Sequence, residues 1–166
     1  DLSLWRNGYA LRVRRAGGRW VQTLKGEGVM AAGLHQRQEW EAEVSASTPD
    51  LTKISDPALA KLFSSQAVRD GLRPVFVTEF RRTTRILSFP DGSEAKLAMD
   101  RGEVAAGENR LPLCEIELEL KSGNPARLFE LALALQPAVP FALEPMSKAE
   151  RGHRLAGAEP PVPMKA

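Results

Sequence analysis

The chain has 166 residues, enough for one domain that buries roughly 70% of its unfolded surface without staples. Its one cysteine, Cys114, excludes an internal disulfide and fits a reducing, cytoplasmic compartment, and the lack of any run of about 20 apolar residues excludes a helical membrane span. Net charge is only +2, from 23 basic and 21 acidic side chains, so the sum makes no case for nucleic acid; the distribution of the two signs along the strands is what carries information.

Tyr9 to Arg15 alternates apolar with basic residues and ends at Ala16-Gly17-Gly18, so with Arg19 to Lys25 it predicts a hairpin. A loop holding Gly26, Gly28 and Gly33 is expected before Leu34 to Val44, a long polar strand. Thr48 to Gly71 changes character: Asp56 and Pro57 suit the N-cap and first position of a short helix reaching Phe63, and Gly71 closes the insertion. Arg73 to Phe89, rich in Val, Phe and Thr, returns to strand; Pro90-Asp91-Gly92-Ser93 is a turn, and Glu94 to Asp100 is the returning strand. Leu111 to Lys121 is a strand whose alternation is strict from Cys114 to Leu120. Asn124-Pro125 opens a helix that ends near Leu135, before Pro137 and Pro140, and Ser147 caps a last helix from Lys148 to Leu155. The tail Ala158 to Ala166 holds Pro160, Pro161 and Pro163 and reads as a linker.

Alternate residues of a strand share a face. Arg12 and Arg14 therefore point one way, opposite Leu11 and Val13, and Thr23 and Lys25 share a face. Arg37, Glu39, Glu41 and Glu43 form a row, as do Glu115, Glu117 and Glu119; Arg82 and Thr84 share a face with Asp100 nearby on the paired strand. For any single strand a solvated face is the simpler reading. The triple glutamate strains it, because like charges in one row repel without a partner. A cation and an anion held between acidic and basic rows relieve both. Arginine and lysine grip phosphate oxygens, carboxylates are hard ligands for Mg²⁺ or Mn²⁺, and such a metal bridges phosphate oxygens and positions water. Histidine is not needed, and His35 and His153 read as packing or surface residues. Cys114 reads as a buried structural thiol facing away from the acidic row, Trp5, Trp20 and Trp40 as outer or rim packing, and the helix from Arg127 to Leu135 as a cover for the sheet.

These segments resemble the CYTH family, the triphosphate tunnel metalloenzymes, in matching order over nearly the whole chain. Cys114-Glu115-Ile116-Glu117-Leu118-Glu119-Leu120 looks like the family's late E-x-E-x-E strand, Leu11-Arg12-Val13-Arg14 like its R-x-R strand, and Thr23-Leu24-Lys25 like the strand after it. Gly33 to Glu39 is similar to a segment of the bacterial inorganic triphosphatases, Met99-Asp100-Arg101-Gly102 to the aspartate strand, and Ser147 to Gly152 to the closing helix. The resemblance implies an α+β fold, an antiparallel eight-stranded β-barrel open at both ends with helices packed outside. It implies triphosphate binding by Arg12, Arg14, Lys25, Arg37, Arg82 and Lys148, metal ligation by Asp100, Glu115, Glu117 and Glu119, catalytic roles for Glu39 and Lys148, and lesser parts for Glu41 and Arg151. The family opens with an E-x-E-x-K strand that nothing before Arg12 matches; Asp1 to Leu4 resembles the loop after it, so the first strand is expected to be absent and the chain alone to be inactive or nearly so. The expected organisation is a tunnel domain over 1–157 and a linker over 158–166 towards a helical CHAD domain. The activity implied is Mg²⁺- or Mn²⁺-dependent hydrolysis of inorganic triphosphate or polyphosphate, with no nucleic-acid or membrane partner. The alternatives are thiamine triphosphate hydrolysis, ATP cyclisation, or a module that binds polyphosphate or nucleotide without turnover.

Overall fold

The computed structural model of the chain describes residues 2–31, 34–54 and 57–158, without the side chains of 27–31, 34–37, 57, 58 and 62. The expected Asp56 cap, Gly33, the His35 and Arg37 side chains and the proline-rich tail from 159 onward lie outside the described residues. Two compact units are present, one carried by the first 74 residues and one by Val75–Ala156.

In the first unit, β1 (Ala10–Ala16), β2 (Arg19–Ala31) and β3 (Leu34–Val44) form an antiparallel sheet in the order β1-β2-β3. Gly17 and Gly18, at φ 56° and 87°, make the tight turn between β1 and β2, which requires two left-handed residues in succession. The alternation read in β1 sorts the two faces. Leu11, Leu24 and Trp40 lie in register on one face, where Leu24, 1% exposed, packs with Ile54, Leu59 and Phe63. The helices α1 (Ser3–Arg6), α2 (Pro57–Ser64) and α3 (Gln66–Asp70) accompany that apolar side, with Leu4, Val68 and Leu72 against the same cluster. Trp5 is buried and Trp40 packs on this core. The expected glycine loop after Lys25 is instead strand: β2 continues to Ala31 through a register shift between Lys25 and Gly28, a bulge that glycine accommodates.

In the second unit, β4 (Val77–Ser88), β5 (Glu94–Ala106) and β6 (Asn109–Ser122) form an antiparallel sheet in the order β4-β5-β6. The Pro90–Ser93 turn is as expected: Gly92 has φ 80° and Asp91 Oδ1 accepts a hydrogen bond from Ser93 N at 3.1 Å. β5 runs beyond Asp100 to Ala106, because Gly102 and Val104 continue its alternation. α5 (Lys148–Leu155) lies on this sheet, capped by Ser147 Oγ, which accepts from Glu150 N at 3.2 Å. Gly152 lets the helix approach Phe76, whose ring a Cβ would meet at 2.3 Å. α4 (Ala126–Leu135) buries Leu128 but leaves Phe129 and Leu133 44% and 68% exposed, so it covers the sheet less than expected. Cys114 is exposed, not buried, because it sits on the sheet face opposite the acidic row that α5 engages. The described residues thus give an α+β fold of six strands in two antiparallel sheets with five helices, where an eight-stranded barrel lacking its first strand was expected; no closed barrel is formed among the described residues.

Candidate metal and anion site

Pairing in the second unit stacks residues of one parity into rows across the sheet. Phe80, Gly102 and Leu113 form one row, Arg82, Asp100 and Glu115 the next, then Thr84, Ala98 and Glu117, then Ile86, Lys96 and Glu119. The alternation in β4, β5 and β6 therefore puts an arginine, an aspartate and two glutamates on neighbouring rows of one face.

Asp100 is the centre of this group, with no exposed surface. Arg82 donates to it twice, Nε to Oδ1 at 2.6 Å and Nη2 to Oδ2 at 2.5 Å, and donates again from Nη2 to Glu117 Oε2 at 2.6 Å. From α5, Lys148 Nζ lies 2.8 Å from Asp100 Oδ2 and 2.5 Å from Glu117 Oε1, and also contacts Glu115. Arg151, one turn on, pairs with Glu115 and lies 3.8 Å from Glu144. The partners that the triple glutamate requires come, for Glu115 and Glu117, from cations of this same unit, Arg82, Lys148 and Arg151. Burial works to raise the Asp100 and Glu117 carboxyls, but the hydrogen bonds and charges of Lys148 and Arg82 outweigh it and hold both below their ordinary values. Burial likewise works to lower Lys148, and its contacts with Asp100, Glu115 and Glu117 outweigh it, raising its pKa.

Glu119 stands one row further on, paired with Lys96 and, at 2.9 Å, with Lys121, outside the group around Asp100. Sequence reasoning passed over Phe80. Its ring centroid lies 5.4 Å from both Arg82 Cζ and Lys148 Nζ, within cation–π range, and its signal was its parity with Arg82 two residues on.

One oxygen each from Asp100, Glu115 and Glu117 lie within 4.8 Å of one another. Oxygens bound at 2.0–2.1 Å in octahedral geometry stand roughly 3–4 Å apart, so small rotations of these side chains could close the trio around a hard cation such as Mg²⁺, and its all-carboxylate donor set suits hard over soft metals.

The first unit carries a second charged face. Lys25 Nζ lies 2.6 Å from Glu39 Oε1, Arg14 Nη2 lies 3.0 Å from Glu41 Oε1, and Glu41 also accepts from Thr23 at 2.9 Å. Arg12 reaches Thr23 Oγ1 at 3.5 Å, and Thr23 has no exposed surface. Burial works to raise Glu41, and Thr23 and Arg14 outweigh it, lowering its pKa. Arg37 pairs through its backbone with Gly28.

Fold and site together define an α+β protein that gathers a carboxylate trio and three cationic side chains on one face of an antiparallel sheet. The chain belongs to the CYTH domain family, whose profile matches residues 1–152. It is 35% identical over 147 residues to a protein of Haemophilus influenzae named inorganic triphosphatase, an overlap of 87% of this chain. The chain spans 40% of the length of that curated relative. Among the described residues no helix is long and apolar enough to cross a membrane.

Proposed function

We propose that this chain is the phosphate-handling domain of a metal-dependent inorganic triphosphatase. The observation that carries the reading is the carboxylate trio Asp100, Glu115 and Glu117 set directly against Arg82, Lys148 and Arg151. Asp100, Glu115 and Glu117 would hold Mg²⁺ or Mn²⁺, with Glu119 beside them. Held there, such a cation would supply Lewis-acid chemistry, offsetting phosphate charge and lowering the pKa of a bound water. Arg82 and Lys148 are placed to bind phosphate oxygens beside the trio, the guanidinium as a fork and the ammonium as a point charge. For Arg12, Arg14, Lys25 and Arg37 the same role rests on the family resemblance and on the charged face of the first sheet. Glu39, 2.6 Å from Lys25, orients that lysine, and Lys148 supplies the catalytic cation. The closed tunnel, the division into 1–157 and a linker towards a CHAD domain, and a cytoplasmic site of action belong to the same reading.

Phosphate release from tripolyphosphate by the full-length protein, with Mg²⁺ or Mn²⁺ and with EDTA, tests it. Metal-dependent release is expected. Tight binding without release points to a non-catalytic module, and thiamine monophosphate or diphosphate release or cyclic AMP formation from the corresponding triphosphates identifies another substrate.

A further inference from the structure

We propose that Lys148 is the resting occupant of the Asp100–Glu115–Glu117 trio, and that a divalent cation enters only by displacing it. Cation and triphosphate then bind synergistically rather than independently. The triphosphatase reading supplies the identity of the anion; the displacement itself rests on the contacts of Lys148.

Lys148 Nζ touches all three carboxylates whose oxygens lie within 4.8 Å of one another. An ammonium has three donors and no acceptor, so three carboxylates use its full capacity. A lysine head and a hard cation therefore compete for the same oxygens. Formal charge points the same way: the three carboxylates of the trio face Arg82, Lys148 and Arg151, so the trio is already compensated, with Glu144 further out at 3.8 Å from Arg151. Adding a dication to a trio already matched by three cations gains little unless a positive charge leaves or an anion arrives. Arg82 is tied to Asp100 by two hydrogen bonds, while Lys148 is a single point charge on a flexible stem at the first position of α5. It can turn away while Ser147 keeps the helix capped. A triphosphate offers Lys148 a new partner as it leaves. It also offers an acceptor to Arg151 Nε, which is buried with no hydrogen-bond partner among the described residues.

The test is Mn²⁺ binding to wild type, Lys148→Gln and Lys148→Arg, read by calorimetry and by the electron paramagnetic resonance of free Mn²⁺. With Mn²⁺ alone, Lys148→Gln binds about tenfold or more tighter than wild type, while Lys148→Arg, which keeps the charge, stays weak. A methylene-bridged triphosphate analogue tightens Mn²⁺ binding to wild type by about tenfold or more and does much less for Lys148→Gln. Equal Mn²⁺ affinity in wild type and Lys148→Gln overturns the displacement. So does an analogue that leaves wild-type Mn²⁺ affinity unchanged, and this arm decides alone where the variants do not fold. Tightening in Lys148→Gln without phosphate release by wild type removes the triphosphatase reading and upholds the displacement. Phosphate release with equal affinities does the reverse.

Discussion

Asp100 takes a forked pair of hydrogen bonds from Arg82 and an ion pair from Lys148 while having no exposed surface. Asp100→Asn leaves two cations short of a counter-charge, and breaking such a pair costs about 3 kcal/mol, at the low end of the usual range because Arg82 can be rehydrated. Urea denaturation without metal measures it. The same carboxyls set a pH dependence. Asp100 and Glu117 have folded pKa values below the ordinary ones, so their contribution is complete above the unfolded values and is lost as pH falls through the folded ones. Stability should therefore decline from about pH 4 downward, and Asp100→Asn should flatten that limb. Glu117→Gln should abolish metal-dependent hydrolysis. Because Glu117 is already paired with Arg82 and Lys148, the substitution should also lower metal-free stability, by about 1 kcal/mol or less at this half-exposed position, instead of relieving repulsion. A Glu117→Gln variant whose metal-free form melts higher than wild type would contradict that pairing.

At the scale of elements, α5 carries Lys148 and Arg151 to the sheet, and two local features fix it there. Ser147 caps it, and Gly152 allows its contact with the Phe76 ring. Gly152→Ala should cost about 1–3 kcal/mol through overpacking, against the gain in helix propensity, and should weaken triphosphate binding because both cations ride on the helix. Ser147→Ala should cost about 1 kcal/mol with a smaller effect on binding. Thermal melts paired with binding titrations separate the two. β3 and the start of α5 were legible in the sequence to the residue, because the polar strand pattern over Leu34–Val44 and the Ser147 cap are local signals. The continuation of β2 was not, since glycines that break a strand and glycines that form a bulge look alike until the partner strand is present. Cys114 was assigned the correct face but the wrong burial, because alternation tells which residues share a face and not which face a helix will cover.

Across the second unit, which strand residues share the face of the candidate site was legible, while Glu119's place outside the group and the wiring were not. Glu115, Glu117, Asp100 and Arg82 follow from strand parity. That Lys148 sits among the carboxylates and Arg151 pairs with Glu115 depends on contacts made 31 to 36 residues along the chain, for which no local periodicity speaks. The pairing of the trio with three cations has a consequence for stability. Mn²⁺ alone should raise the melting temperature little. Mn²⁺ with the methylene-bridged analogue should stabilise by about 2.7 kcal/mol at a hundredfold excess over Kd, read by differential scanning calorimetry. An equal shift with Mn²⁺ alone would argue for a cation site that loads independently.

The exposed Cys114 also provides a reporter. It is the chain's one thiol, adjacent to Glu115 in sequence yet on the opposite face of β6. A nitroxide attached there would not touch the ligand oxygens, but the thickness of a single sheet would separate it from any Mn²⁺ they hold. Dipolar broadening of the nitroxide spectrum would then record cation entry directly, in a chain whose sequence holds no second thiol to label by mistake.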